Sequence, residues 1–434
     1  MVEKRANDLI TIDGFHNETH PRIEERINEM NGKKTLNRRG FLARSAISVA
    51  ATAPMVASRN VLGANDKIRM GLIGAGGRGR GVMRELAKQG AEFIAISEIY
   101  QPEAQAALDV LEEGVKNHHD YRALLERKDI DAVLIATPEH QHCVQLIDAV
   151  QAGKDAYCEK PMSNSIEEGY RTVQKVRETR QIVQIGMQRR SSETVMKTKK
   201  LIDDGTIGPI YMVKAWWNWT LSHKLDNSPL PNELDWDAFC YPKRNVRFEP
   251  MKYREWRYYW PFSGGNCTDQ GTHLMDVVQW FMNSDPPKSA ECYGDVYEMI
   301  GAETPDVFSA IFDYGSFMAT WALNYVNKYQ SGWMIQFQGR KGTIMINDSG
   351  AKVYLDDWAQ DYSMTYNTQP SIVIEGGIPT DPHTQNFLDC MRSRKEPNAP
   401  VEVGHSAVCG PHLANVAWHK KERAYLRSDL SGAY

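Results

Sequence analysis

No stretch of the chain restricts its fold as much as residues 68–87, which read IRMGLIGAGGRGRGVMRELA. Ile68 to Ile73 is an apolar run of strand length. Gly74, Gly76 and Gly79 supply a GxGxxG spacing, and Val82 to Ala87 repeats its apolar residues at helical intervals. A strand, a glycine turn and a helix in that order predict the first unit of a doubly wound α/β domain that binds a dinucleotide. The first glycine permits the tight turn, the second lets backbone approach a pyrophosphate, and the third lets helix and strand pack closely. The start of the helix offers unpaired N–H groups and a partial positive charge to phosphate. Gly77 and Arg78 lie within the same turn and count among the candidate cofactor contacts.

A second apolar strand, Glu92 to Ser97, runs into Glu98, at the offset of about 20 residues where an acid binds the adenosine ribose hydroxyls and repels an added phosphate. NAD is therefore expected; Arg78 and Arg80 could reach a 2′-phosphate and leave NADP open. Asp131 to Ala136 (DAVLIA) reads as a buried parallel strand. It runs into Thr137-Pro138-Glu139-His140-Gln141-His142. Ligands of such sheets bind beyond the carboxyl ends of the strands, so Thr137, Pro138, His140 and His142 are expected near the nicotinamide. A helix from Cys143 to Ala152 precedes a strand, Asp155 to Cys158, which brings Glu159-Lys160-Pro161 to the same edge. His140 and His142 would share a face if they stood on a strand, as metal ligands do. No third or fourth ligand is apparent, and none of the seven cysteines is spaced CxxC, so no metal is expected.

The glycine-rich start, the Thr-Pro-x-x-x-His turn and the Glu-Lys-Pro triplet within GKDAYCEKP resemble the glucose-fructose oxidoreductase, inositol dehydrogenase and MocA family, from about Lys67 to the end of the chain. The resemblance implies an NAD(P)-dependent oxidoreductase of sugar-like substrates with Lys160 in its active site. An ammonium there would hydrogen-bond the substrate hydroxyl and favour its alkoxide character as hydride leaves.

A second constellation, GGNCTDQGTH, spans Gly264 to His273. Asp269 and His273 are four apart and would share a helix face. Leu274, Val277, Val278 and Phe281 continue as an apolar stripe. A carboxylate beside a histidine fixes its tautomer and supports the imidazolium, which makes a general base. His273 is read as proton acceptor, with Asp269 as its partner or as a ligand of a substrate hydroxyl. Asp276 is the other candidate partner, and a structural capping pair is the plain alternative. The resemblance implies catalytic roles for Asp269 and His273.

Downstream, strands are expected over Ile210 to Trp219, Val307 to Tyr314, Phe317 to Tyr325, Gly332 to Gly339 and Gly342 to Asn347. The fold class is thus an α/β Rossmann domain followed by an α+β domain with an open, mostly antiparallel sheet. Its divisions are a leader over 1–65, a nucleotide domain over 66–190, and a substrate and oligomerisation domain over 191–434 with a returning C-terminal helix near Asp381 to Met391. The aromatic-rich insertion Leu221 to Phe262 reads as a loop over the substrate, with an oligomer contact as the alternative. Arg189 or Arg190, Arg254, Arg257, Tyr258 and His383 are further candidate substrate contacts. The resemblance also implies a homo-oligomer, a dimer or tetramer through the exposed sheet.

Asn37 to Leu42 (NRRGFL), ahead of an Ala-rich apolar stretch, resembles a twin-arginine export signal and predicts a periplasmic protein, or a cytoplasmic one if the signal is not used. Translation from Met30 would give that signal a basic region of normal size. The apolar stretch is too short to span a bilayer. The net charge of −4, without a basic domain, gives no reason to expect a nucleic-acid partner. The expected partner is a small carbohydrate, and the expected reaction is dehydrogenation or reduction by hydride transfer. A redox-assisted glycoside hydrolase or lyase with a recycling cofactor is a second reading, and a non-catalytic nucleotide- or sugar-binding protein a third.

Overall fold

The computed structural model describes residues 67–220, 223–356 and 369–434. The expected leader over 1–65, with the Asn37–Leu42 motif read as a twin-arginine signal, lies outside the described residues.

The N-terminal sheet contains strands β1 (Ile68–Ile73), β2 (Ala91–Ser97), β3 (Lys116–His118), β4 (Ala132–Ile135), β5 (Asp155–Cys158) and β6 (Val183–Ile185). They are all parallel, in the order β3-β2-β1-β4-β5-β6. The order reverses between β1 and β4, which opens a crevice beyond their carboxyl ends. β4 and β5 are buried along their whole length, because helices cover both faces of the sheet. The connecting helices are α1 (Gly77–Lys88), α2 (Gln101–Leu108), α3 (Tyr121–Leu125), α4 (Glu139–Gln151) and α5 (Ile166–Arg177). Side chains hold two of their starts: Asp120 accepts from Arg122 N, and Ser165 accepts from Glu168 N.

After α6 (Glu193–Asp203) comes a nine-stranded sheet. Its long strands are β7 (Ile210–Asn218), β8 (Ser289–Asp295), β9 (Val307–Asp313), β10 (Met318–Asn324), β11 (Gly332–Gly339), β12 (Gly342–Asn347) and β13 (Gly350–Leu355). Short edge strands β14 (Ile372–Glu375) and β15 (Ala424–Tyr425) complete it. The order is β14-β13-β12-β11-β7-β10-β9-β8-β15, antiparallel except where β7 meets β10. Side chains alternate across such a strand. Val213, Ala215, Trp217, Phe308, Phe312, Trp321, Leu323, Ile335 and Phe337 point into the core, while Tyr211, Tyr293, Ile311 and Met318 are exposed on the other face.

Six α-helices remain to be placed among the described residues. Two short ones, α7 (Trp236–Cys240) and α8 (Pro250–Arg254), lie in the insertion; α9 (Gly265–Asp269) and α10 (Gly271–Phe281) follow it. The chain then returns to the first domain. In α11 (Asp381–Ser393), Phe387, Leu388, Cys390 and Met391 join the cluster of Ile68, Met70 and Leu86. The last helix, α12 (Val401–Lys420), is apolar nearly all round because it is wedged between domains: Val401, Val403 and Ala407 pack with β5 and β6 residues, and Leu413, Ala414 and Ala417 with the second sheet.

Candidate active site

A cleft of about 940 Å³ opens at the carboxyl ends of β1, β2, β4 and β5. Gly74, Gly76, Gly77, Arg78, Glu98, Thr137, Pro138, His142, Glu159, Lys160, Arg257 and Asp269 all line it. The glycines have the separate roles that their spacing implied. Gly74 has φ +86°, and a Cβ there would stand 2.7 Å from Thr137 N. A Cβ on Gly79 would stand 2.2 Å from the Gly74 carbonyl, so this residue sets the approach of helix to strand and does not face the cleft. A Cβ on Gly76 or Gly77 would meet no protein atom and would only take space from the cleft. No side chain caps α1, and its first turn carries no acid. This cradle fits a pyrophosphate: free N–H groups, a positive helix end and nothing projecting between.

Glu98 accepts the N–H groups of Ala75 (2.8 Å), Ile99 and Tyr100 (both 2.9 Å). Burial pushes its carboxyl up, against the downward pull of those three donors. Both arginines that could have met a 2′-phosphate are engaged. Arg78 donates to Glu159 (2.9 Å), and Arg80 is held by Glu103 and the Ala75 carbonyl, so the site favours NAD. Glu98→Ser is expected to raise the preference for NADP over NAD by about tenfold, or about 1.4 kcal/mol. Paired fluorescence titrations with the two nucleotides check it, and an unchanged ratio would mean that Glu98 does not discriminate.

At the other end of the cleft, Lys160 Nζ donates to Asp269 Oδ1 (2.6 Å) and to the Asp269 carbonyl (2.8 Å). Lys160 comes from β5 of the first domain through a cis bond to Pro161, and Asp269 from α9 of the second. Arg257 approaches Asp269 Oδ2 at 3.5 Å. Burial would raise the Asp269 carboxyl, but Lys160 and Arg257 outweigh it and hold the group below its ordinary range.

The expected Asp269–His273 pair is not made. The chain breaks at Gln270 between α9 and α10, and the Asp269 oxygens go to Lys160, Arg257 and the Gln270 side chain. Asp276 is taken by Arg190 at 2.7 Å. His273 Nδ1 is buried without a partner. Burial, then the charges of Arg189, Lys160 and Arg78, push its pKa well below the usual range, so the ring is neutral near pH 7.

Other expectations need correction. His140 does not line the cleft. Its ring packs on Phe262 and Phe239, with Nε2 2.7 Å from the Phe239 carbonyl. His140 and His142 stand on α4, not on a strand, so they do not share a face. His142 spans the carbonyls of Thr137 and Pro161 at 2.7 Å each, tying the Thr-Pro turn to the triplet. Among the described residues, no three His, Cys, Asp or Glu side chains are grouped to hold a metal ion. Arg189 lies over the Trp333 ring (4.1 Å) outside the cleft lining, Tyr258 is buried in the insertion's own core, and His383 is held by Ser191 (2.7 Å) and the Ile185 carbonyl (2.9 Å). The insertion lines the cleft with Asp235, Asp237, Ala238, Phe239, Tyr241 and Tyr253, reaching the nucleotide end as well as the Lys160 end.

Glu139, behind the cleft, was not singled out from sequence, nor were Tyr121, Gln141, Asp235 and Asp237 of the cleft lining. Glu139 is fully buried at the start of α4 and accepts from Ser263 Oγ (2.7 Å), Gly264 N (3.2 Å) and Thr268 Oγ1 (3.3 Å). It thus holds the segment that leads into Asp269. An acid directly after the Thr-Pro turn, at the carboxyl end of a buried strand, was the available signal.

Comparison with known proteins agrees with this architecture. A sequence model described as "Oxidoreductase family, NAD-binding Rossmann fold" matches residues 68–187, and one for the GFO/IDH/MocA C-terminal domain matches residues 195–345. The inositol 2-dehydrogenase of Salmonella paratyphi B is 32% identical over 149 residues, which is 34% of this chain and 44% of that protein. The rhizopine catabolism protein MocA of Rhizobium meliloti is 26% identical over 51% of this chain and 59% of its own length. The chain therefore matches about half the length of these curated relatives. Two solved structures share the fold: the WlbA dehydrogenase of Bordetella pertussis with NADH and UDP-GlcNAcA (TM-score 0.63, 22% identity, 83% of this chain and 99% of that one) and a levoglucosan dehydrogenase with NADH and levoglucosan (TM-score 0.64, 18% identity, 82% and 99%).

Proposed function

The chain belongs to the GFO/IDH/MocA oxidoreductase family, and on that premise we propose that it interconverts a ring carbinol and a ketone of a sugar, inositol or glycoside, with NAD as hydride carrier. The observation that carries this reading is the Lys160–Asp269 pair, made across the domain junction at the edge of a glycine-lined cleft. The bound nicotinamide supplies the hydride chemistry. Asp269 aims the Lys160 ammonium, using two of its three N–H bonds. The third is available to a substrate oxygen, where it stabilises alkoxide character. His273 is neutral but buried outside the cleft lining, so its role as acceptor of the hydroxyl proton is proposed from the residue pattern alone. Relatives named for inositol and levoglucosan support a polyhydroxylated ring as substrate.

The test is a panel of sugars, inositols, glycosides and their keto forms offered to the nucleotide-loaded protein while nicotinamide fluorescence is followed. A rise with one carbinol and a fall with its ketone are expected. Product formed with no net change would favour the recycling hydrolase or lyase, and no response to any member would discard the enzymatic reading. The Asn37–Leu42 motif adds a periplasmic destination, which cell fractionation checks. Exposed Tyr211, Tyr293, Ile311 and Met318 on the outer sheet face support a dimer or tetramer, which light scattering checks.

A further inference from the structure

By chain order, the stretch Leu234 to Tyr241 belongs to the second domain, yet it reaches across to the first. It meets three turns that frame the cleft, the first two of them at its adenosine end. After β2, the Tyr100 backbone bridges to Leu234, and the Tyr100 ring meets Tyr253 edge-on at 5.0 Å. After β3, His119 Nε2 lies 3.4 Å from the Asp235 carboxylate. The Arg122 guanidinium sits 4.4 Å from the Tyr121 ring centre and 5.0 Å from that of Tyr241. After β4, Gln141 Nε2 donates to the carbonyls of Ala238 (2.8 Å) and Phe239 (3.2 Å). The stretch is braced from behind by its own small core, in which the Phe239 ring stacks on Trp236 at 5.2 Å. The cleft between these turns is lined by Glu98, Ile99 and Tyr121 from the first domain and by Asp235, Asp237 and Tyr241 from the second.

We propose that this strap completes the adenosine site and slows release of the dinucleotide, which leaves only when Asp235 to Tyr241 lift away. The adenine ring, a flat π system, is recognised by the Tyr–Arg–Tyr group, and the acids beside it discriminate against a phosphorylated ribose. Opening the strap means separating the His119–Asp235 contact, one guanidinium–ring contact, the His140–Phe239 hydrogen bond and two amide–carbonyl hydrogen bonds together, so release is slow even though each contact is individually weak. The inference rests on reading the cleft as a dinucleotide site, and its test does not depend on turnover.

The full chain, loaded with NADH, is mixed with a large excess of NAD, and loss of nicotinamide fluorescence is followed. Tyr241→Ala combined with Gln141→Ala is expected to release NADH at least about tenfold faster than the parent chain, while Tyr241→Phe, which keeps the ring, releases it at the parental rate. If the double variant fails to fold, Asp235→Ala with His119→Ala serves in its place, removing a half-exposed pair. Parental release rates in folded strap variants would overturn the strap while leaving the cleft as a nucleotide site. Absence of NADH binding by the parent chain would overturn both.

Discussion

Lys160→Met is expected to lower turnover about a thousandfold, while the affinity for NADH changes less than about threefold. General acid–base assistance by one positioned group contributes between about 10² and 10⁴ in rate. Here the same group also stabilises charge developing on the substrate oxygen, in a site from which water is partly excluded. The residues proposed to hold the nucleotide, the Gly74–Gly79 turn and Glu98, lie elsewhere in the cleft, and the hydrogen bonds of Lys160 go to Asp269. Methionine approximates the length and apolar stem of lysine, so the volume beneath the substrate is kept. The variant also leaves Asp269 with Arg257 as its remaining cationic partner, so its carboxyl should rise from its present low value. Turnover with the carbinol identified in the panel, alongside a fluorescence titration of NADH, separates the two effects. Parental turnover would remove Lys160 from the chemistry, and loss of NADH binding would make it a cofactor ligand.

The parts of this protein that could be read from sequence are those whose causes are local. A glycine turn needs its glycines within six residues, and a strand buried on both faces declares itself as a continuous apolar run, as Ala132–Ile135 does. The strands Gly332–Gly339 and Gly342–Asn347 fall where alternation and flanking glycines put them. What was missed has distant causes. Strand Ser289–Asp295 carries only Ser289, Ala290 and Cys292 towards the core, too little pattern to announce a strand. Helix Val401–Lys420 contains Pro411 and has no polar face, because both domains cover it. The site divides in the same way. Lys160, Glu98 and Asp269 stand at ends of elements visible in the sequence. The partner of Asp269 is 109 residues away, so spacing pointed to His273 while tertiary contact chose Lys160. The strap is equally distant from the turns it meets, and nothing in its composition separates a cover for substrate from one for adenosine.

The contribution of Glu139 to folding stability should fall as pH rises from about 4.5 to about 7, against the opposite trend of buried neutral histidines such as His140 and His383, and Glu139→Gln should remove that one contribution. Burial, reinforced by the charge of Asp269, pushes the Glu139 carboxyl up to about 7 from an ordinary 4.5, against the pull of Ser263, Gly264 and Lys160. Unfolded chain releases this proton at the lower pH and folded chain only at the higher one. Between the two values the folded state therefore binds more protons, and raising pH favours unfolding. The contribution is complete below about 4.5, lost above about 7, and amounts to about 3 kcal/mol. Glutamine does not titrate, so the stability gap between variant and parent should move by about that amount in favour of the variant between pH 4.5 and pH 8, read from urea denaturation at each pH. Parallel curves would mean that Glu139 is ionised throughout. The gain should be accompanied by slower turnover. A carboxylate can accept all three donors from the Ser263–Thr268 segment, whereas the amide nitrogen of glutamine faces at least one of them without accepting. The segment then carries Asp269, and through it Lys160, less firmly. A variant that gains stability relative to the parent between pH 4.5 and pH 8 yet is less active is the outcome that ties the buried acid to the geometry of the site, since a buried carboxylate with no such role would change stability alone.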